Sequence, residues 1–198
     1  MFPVVGITGG VGCGKSEVGR LLAALGVAVR DADEAVHGLL AAGQPVAAAV
    51  IQRFGPGVAG AEGGVDRARL GALVFADASA RRELEAIVHP PTLDALRAWR
   101  DGMREKGPAA VLVPLLFEAG FTDGWDAVWC ISAKPGVVQQ RLRARGWSDQ
   151  AIAARQAAQW PLAEKEKRAD RVIDNSGGLD ELAAAVQQMW KTLVKRSE

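Results

Sequence analysis

The thirteen residues Val4–Ser16, VVGITGGVGCGKS, constrain this chain more than any other stretch. Val4, Val5 and Ile7 make a β-branched run that stops where Gly9 and Gly10 bring turn chemistry, and a helical pattern begins near Lys15. Within that frame Gly9, four residues and then Gly14-Lys15-Ser16 match the phosphate-loop pattern G-x-x-x-x-G-K-[ST], in the strand and helix context it requires. A polyphosphate is wrapped by backbone N–H groups, and side chains on the inner face would hold the backbone away. The loop residues Gly9, Gly10, Val11, Gly12, Cys13 and Gly14, with Lys15, Ser16 and Glu17, are therefore the candidate nucleotide-binding set. The helix dipole adds attraction for anions, Lys15 a mobile cation, and the Ser16 hydroxyl a hard oxygen for Mg²⁺. Cys13 stands in a cationic loop at a helix start, where thiol pKa values fall, so a reactive thiol is expected there.

At 198 residues the chain fits one enzyme-sized fold with insertions. A formal charge of +1 gives no general case for nucleic acid or an acidic membrane surface as partner. Cys13 and Cys130 lack metal-ligand spacing, which argues against a disulfide framework or a zinc site and suits a reducing cytoplasm. The chain shows neither the pattern of a signal peptide nor an apolar run approaching the roughly 18 residues of a membrane span, and a soluble protein is expected.

Along the chain, Val18, Leu21, Leu22 and Leu25 mark a helix ending at Gly26, and Val27–Val29 a second strand that runs into Asp31 and Asp33. Parallel α/β sheets bind ligands beyond the carboxyl ends of their strands, so acids there are candidates for catalysis, with a helix N-cap as the alternative for Asp33. Residues 35–107 show only helical periodicity, over 46–54, 68–75, 80–88 and 92–103. Gly55–Gly64 is expected to be a mobile surface loop, and His89 before Pro90 to mark a helix boundary. Strand patterns return at 109–113, 127–132 and 171–175, with a closing helix around 182–193. Glu118 follows the third strand pattern, as a metal-holding acid, a surface charge or a helix-start residue. Alternation of strand and helix predicts a doubly wound, five-stranded parallel sheet with a helical insertion. Residues 134–171 carry nine basic side chains against four acids, a local balance of +5. Arg141, Arg143 and Arg145 cluster before Gly146, where a phosphate-loop kinase carries its helical lid, and Arg141 and Arg145 are spaced to share a helix face.

These segments together resemble the dephospho-coenzyme A kinase family over essentially the whole chain. The resemblance rests on ITGGVGCGKS, DAD at 31–33, VDRARLGALVF at 65–75, EAIVHP at 85–90, VPLLFE at 113–118, QQRLRARG at 139–146, RQAAQWP at 155–161 and RADRVIDNSG at 168–177. It implies a cytoplasmic enzyme that uses ATP and Mg²⁺ to phosphorylate the ribose 3′-hydroxyl of dephospho-coenzyme A. In that reading Asp33 is the catalytic base, Lys15, Arg141 and Arg145 neutralise phosphate charge, and Ser16 holds the metal. Asp33, His89, Leu116, Phe117 and Glu118 meet the acceptor. The implied nucleotide core is 1–34 with 108–198, its lid lies at about 138–168, and 35–107 is the acceptor-binding insertion. Glu17 departs from the hydroxyl residue common at that place in the family, and a carboxylate so near phosphate repels it unless turned away. A kinase for another small acceptor and a nucleotide-dependent regulatory module are the competing readings; no N-K-x-D segment supports a GTPase. Oligomeric state is not legible.

Overall fold

The computed structural model describes residues 1–197. In chain order the elements are β1 (Val4–Gly9), α1 (Lys15–Ala24), β2 (Ala28–Asp31), α2 (Ala32–Leu39), α3 (Pro45–Phe54), α4 (Arg67–Ala76) and α5 (Ala78–Met103). Then come β3 (Ala109–Leu112), β4 (Ala127–Ser132), α6 (Pro135–Ala144), α7 (Asp149–Ala157), α8 (Leu162–Arg168), β5 (Arg171–Asp174) and α9 (Leu179–Ser197). The chain forms two compact units, Met1–Asp31 with Arg100–Glu198, and Ala32–Trp99.

The first unit is built on a five-stranded, all-parallel sheet in the order β2-β3-β1-β4-β5. β1 is central and buried at all six positions, because helices cover both faces of such a sheet and a solid apolar run suits a strand with no wet side. Gly6 pairs with Val111 on one side and Val128 on the other. The chain moves to one flank of β1 for β2 and β3 and to the other for β4 and β5, so the direction of winding reverses at β1. Ligands of open parallel sheets bind at such a switch point, beyond the strands' carboxyl ends. Every strand's carboxyl end lies on one edge, and the Gly10–Gly14 loop leaves β1 there. The core around Val5, Ile7, Leu22, Trp129, Ile131, Leu142 and Ile173 also takes in Val186, Trp190 and Leu193 of α9. Val138, Leu142 and Ile152 sit in the same core, so α6 and α7 are anchored by apolar side chains.

The second unit has its own core of Leu40, Val46, Val50, Val58, Leu70 and Val88. Two expectations are corrected here. The helical patterns at 80–88 and 92–103 are one helix, α5, with Pro90 and Pro91 inside it, so His89 marks no boundary and is a half-buried helical residue. The prolines remove two backbone donors, but Val88, Thr92 and Leu96 form a buried stripe at helical spacing through the break, and the Thr92 hydroxyl donates to the Val88 carbonyl at 2.7 Å. Burial of that stripe outweighs the local preference to stop. The stretch Gly55–Gly64 is tied down rather than left as a loose loop. It holds a 3₁₀ turn at Pro56–Val58 and an antiparallel bridge between Ala59 and Val65, and Val65 N–H donates to Leu40 O at 2.9 Å. Glycine at 64 permits this packing, since a Cβ there would stand 2.8 Å from the Ala42 nitrogen.

Candidate active site

The site grows from the junction of β1 and α1. Gly14 precedes the helix at φ 100°, a conformation glycine adopts without a Cβ penalty, and its carbonyl accepts from both Glu17 N–H and Val18 N–H at 3.1 Å. The opening N–H groups of a helix have no intrahelical carbonyl, so this turn presents donors and the positive end of the dipole to an anion. Lys15 reaches back over the loop, its Nζ donating to Gly9 O and Gly10 O at 2.9 Å each. Ser16 is exposed in the first turn of α1.

A cavity of about 390 Å³ opens beside this loop, lined by Gly12, Gly14, Glu17, Arg141, Arg145 and Asn175, with Leu179 and Leu182 as apolar wall. The sheet brings these together from four places in the sequence: the loop, α1, the end of α6, and the segment after β5. Arg145 lies just past α6 as its capping residue, four residues after Arg141, and the two line the same cavity. Arg143 is separated from them, its guanidinium paired with Asp149 at 2.8 and 2.9 Å on the exposed side. One guanidinium nitrogen of Arg141, Nη1, is buried without a hydrogen-bond partner among the described residues. A buried cationic donor left unsatisfied is costly, and an anionic oxygen would satisfy it.

Asn175 is the residue that sequence reasoning missed. Its Nδ2 donates to the Cys13 carbonyl at 2.8 Å, and its Oδ1 faces Arg141 Nη2 at 3.5 Å. The sequence signals were its place at the end of the last strand pattern and within the segment RADRVIDNSG, neither of which singled it out. Glu17 turns to Arg20, whose Nη2 lies 2.5 Å from Oε1, and this hydrogen bond holds the Glu17 carboxyl below its ordinary pKa. The repulsion expected from Glu17 is thus partly met by a cation one turn along the helix.

The expectation for Cys13 is overturned. Its side chain is 1% exposed, and burial pushes the thiol above its ordinary value despite the opposing fields of Lys15 and Arg141 and hydrogen bonds from the Ala133 and Gly10 backbone. Desolvation of a thiolate outweighs a nearby cation here, so the sequence signal of a cationic loop misleads. Cys130, also buried and free, is pushed up to about 12, by burial first and then by Glu166.

Glu118 is neither a surface charge nor part of a helix. Its Oε1 lies 2.8 Å from Lys165 Nζ and accepts from Trp160 N–H at 2.9 Å. Leu116 is fully buried and packs on Gly6, and Phe117 is buried beside it in the turn after β3. Trp160 carries the Arg168 guanidinium over its ring, at 4.8 Å. In the second unit, Asp33 is exposed in the first turn of α2, two residues after β2 ends, and His89 lies in α5.

No cluster of three or more His, Cys, Asp or Glu suited to a metal occurs among the described residues. Mg²⁺ in phosphoryl transfer keeps several waters and takes few protein ligands besides the phosphates, so the exposed hydroxyl of Ser16 at the loop's end fits that donor set. No helix among the described residues is long and apolar enough to cross a membrane.

Residues 3–181 match the family model described as dephospho-CoA kinase. A dephospho-CoA kinase of Symbiobacterium thermophilum is 46% identical over 195 residues, covering 95% of this chain and 80% of the relative. Among solved structures, dephospho-CoA kinase from Campylobacter jejuni is 25% identical with a TM-score of 0.74, covering 100% of both chains. A Thermus thermophilus crystal structure is 34% identical, with a TM-score of 0.78 over 98% of this chain and 99% of the other.

Proposed function

The chain belongs to the dephospho-CoA kinase family, and on that premise we propose how its residues carry phosphoryl transfer from ATP to the ribose 3′-hydroxyl of dephospho-coenzyme A. It is a phosphotransferase acting in the last step of coenzyme A synthesis. The observation that carries the residue assignment is the convergence of Gly12, Gly14, Arg141 and Arg145 on one cavity beside Lys15, with an Arg141 N–H left for an acceptor.

In this reading the loop 9–16 cradles the ATP phosphates through backbone N–H groups, and Lys15 leaves the Gly9 and Gly10 carbonyls to follow the β- and γ-phosphates. Arg141 and Arg145 neutralise charge that spreads over the transferring group, the largest service a protein gives this chemistry. Ser16 would hold Mg²⁺, which would supply neutralisation of phosphate charge when bound. Asp33 orients the acceptor hydroxyl and takes its proton late in transfer; its exposed carboxylate shortly after β2 supports this, together with the family's motif. Residues 32–99 serve the acceptor, with His89 among them. Phe117 and Glu118 border the acceptor from the turn after β3, Leu116 acting there as packing. The enzyme works in the cytoplasm, as two free buried thiols suit.

The test is ADP formation with dephospho-coenzyme A as acceptor, set against AMP and adenosine, in wild type and in Lys15→Ala. Strong preference for dephospho-coenzyme A and its loss in Lys15→Ala are expected. Equal turnover with AMP, or a well-folded Lys15→Ala that works normally, would defeat the assignment.

A further inference from the structure

We propose that Asn175 is a positioning residue that aims the Gly14 amide at the nucleotide's phosphates and steadies Arg141 beside it. The inference rests on the nucleotide site assigned above and adds a residue to it. Asn175 is buried, fixed by its own backbone N–H donating to Ser132 O at 2.7 Å, and set at the carboxyl edge of the sheet next to β5. From there its Nδ2 donates to Cys13 O at 2.8 Å, a contact that joins residues 162 apart in the sequence. A peptide unit is planar and trans, so its C=O and N–H point in opposite directions. Drawing the Cys13 carbonyl toward Asn175 therefore turns the Gly14 N–H away from it. In a loop that wraps phosphate with its amides, that peptide's direction decides whether one donor is available.

Gly14 makes the contact possible, because a Cβ there would stand 2.1 Å from Asn175 Nδ2. The other end of the amide faces Arg141 Nη2 at 3.5 Å. Nitrogen toward a carbonyl and oxygen toward a guanidinium is the only orientation of the amide that opposes no like groups. One side chain thus ties the loop to the arginine whose Nη1 has no hydrogen-bond partner among the described residues.

A residue that merely fills space would change stability. A residue that aims an amide at phosphate changes affinity according to how many phosphates the ligand carries. The experiment is titration calorimetry of ADP and AMP against wild type, Asn175→Ala, Asn175→Asp and Lys15→Ala, with melting temperatures alongside. Asn175→Ala should weaken ADP about tenfold, the usual effect of losing one such hydrogen bond, and AMP much less. Asn175→Asp keeps the shape and an acceptor for Arg141 but sets a carboxylate oxygen against Cys13 O, so it should weaken ADP at least as much. Parallel losses of ADP and AMP would make Asn175 a contact for the rest of the nucleotide. A lower melting temperature with both affinities unchanged would make it packing. Either result overturns the proposal while a wild type that prefers ADP, and loses that preference in Lys15→Ala, leaves the nucleotide site standing. Failure of that wild-type preference would instead remove the site itself.

Discussion

Lys165 Nζ lies 2.8 Å from Glu118 Oε1, with the lysine side chain 0% and the glutamate 14% exposed, so a charge pair is buried where α8 meets the turn after β3. Lys165 also donates to Pro114 O at 2.7 Å, and Thr8 of β1 donates to the same carbonyl at 3.3 Å. Because Glu118 accepts the Trp160 N–H as well, this pair fixes the start of α8 to the central strands. Breaking a buried pair from one side leaves an uncompensated charge, whereas removing both charges together is often tolerated. Glu118→Ala should therefore lose about 3 kcal/mol of unfolding free energy in urea, and the double variant Glu118→Leu with Lys165→Met should recover much of it. A single variant as stable as wild type would show that the pair contributes nothing.

Asp33 is exposed in the first turn of α2, so its replacement by asparagine removes little packing. If it is the base, Asp33→Asn should keep the melting temperature and ATP affinity while turnover falls by roughly 10²–10⁴-fold. Asp31, the last residue of β2, is the internal control and should have the milder effect. Wild-type turnover of Asp33→Asn at saturating acceptor would place the base elsewhere.

The three arginines before Gly146 should separate by function as they do in space. Arg141→Ala and Arg145→Ala should lower kcat more than they raise KM for the acceptor, because cations beside the phosphates act most on charge that develops in the transition state. Arg143→Ala removes only an exposed pair with Asp149 and should leave turnover within about twofold. Steady-state kinetics of the three variants decides this, and equal losses at all three positions would contradict the division.

The buried thiols give a pH dependence of known sign. Burial raises both, Cys130 to about 12, so the folded protein keeps these protons to higher pH than the unfolded chain. Unfolded protein then binds fewer protons above the ordinary thiol pKa of 9.0, and stability falls as pH rises. The contribution is intact below about pH 9, is lost up to about 12, and for Cys130 has cost about 2 kcal/mol by pH 10.5. Urea unfolding between about pH 8 and 10.5 should show a shallower decline in Cys130→Ala than in wild type. In native protein at neutral pH neither thiol should react with iodoacetamide on the timescale that labels the unfolded chain. Rapid labelling of Cys13 would restore the reactive thiol that its loop position suggested.

What the sequence determined by itself was whatever local pattern dictates: the phosphate loop between β1 and α1, strand patterns at 109–113, 127–132 and 171–175 that overlap β3, β4 and β5, and the parallel α/β class. Each follows from interactions within a few residues, a β-branched run, a glycine turn or helical spacing, which short windows capture. The tertiary structure decided the rest, because it depended on partners far along the chain. Pro90 and Pro91 signal a helix end, yet α5 runs through them because the stripe Val88, Thr92 and Leu96 is buried on both sides of the break. Lys165 reads as one more cation in a charged run, and only the fold brings Glu118 and Pro114 O to its Nζ. Cys13 sits among cations, but how far burial outweighs their field depends on what the sheet and helices stack over the thiol. Asn175 is one residue of the RADRVIDNSG segment, and the role proposed for it exists only because parallel pairing of β1, β4 and β5 delivers the end of β5 to the carbonyl of Cys13.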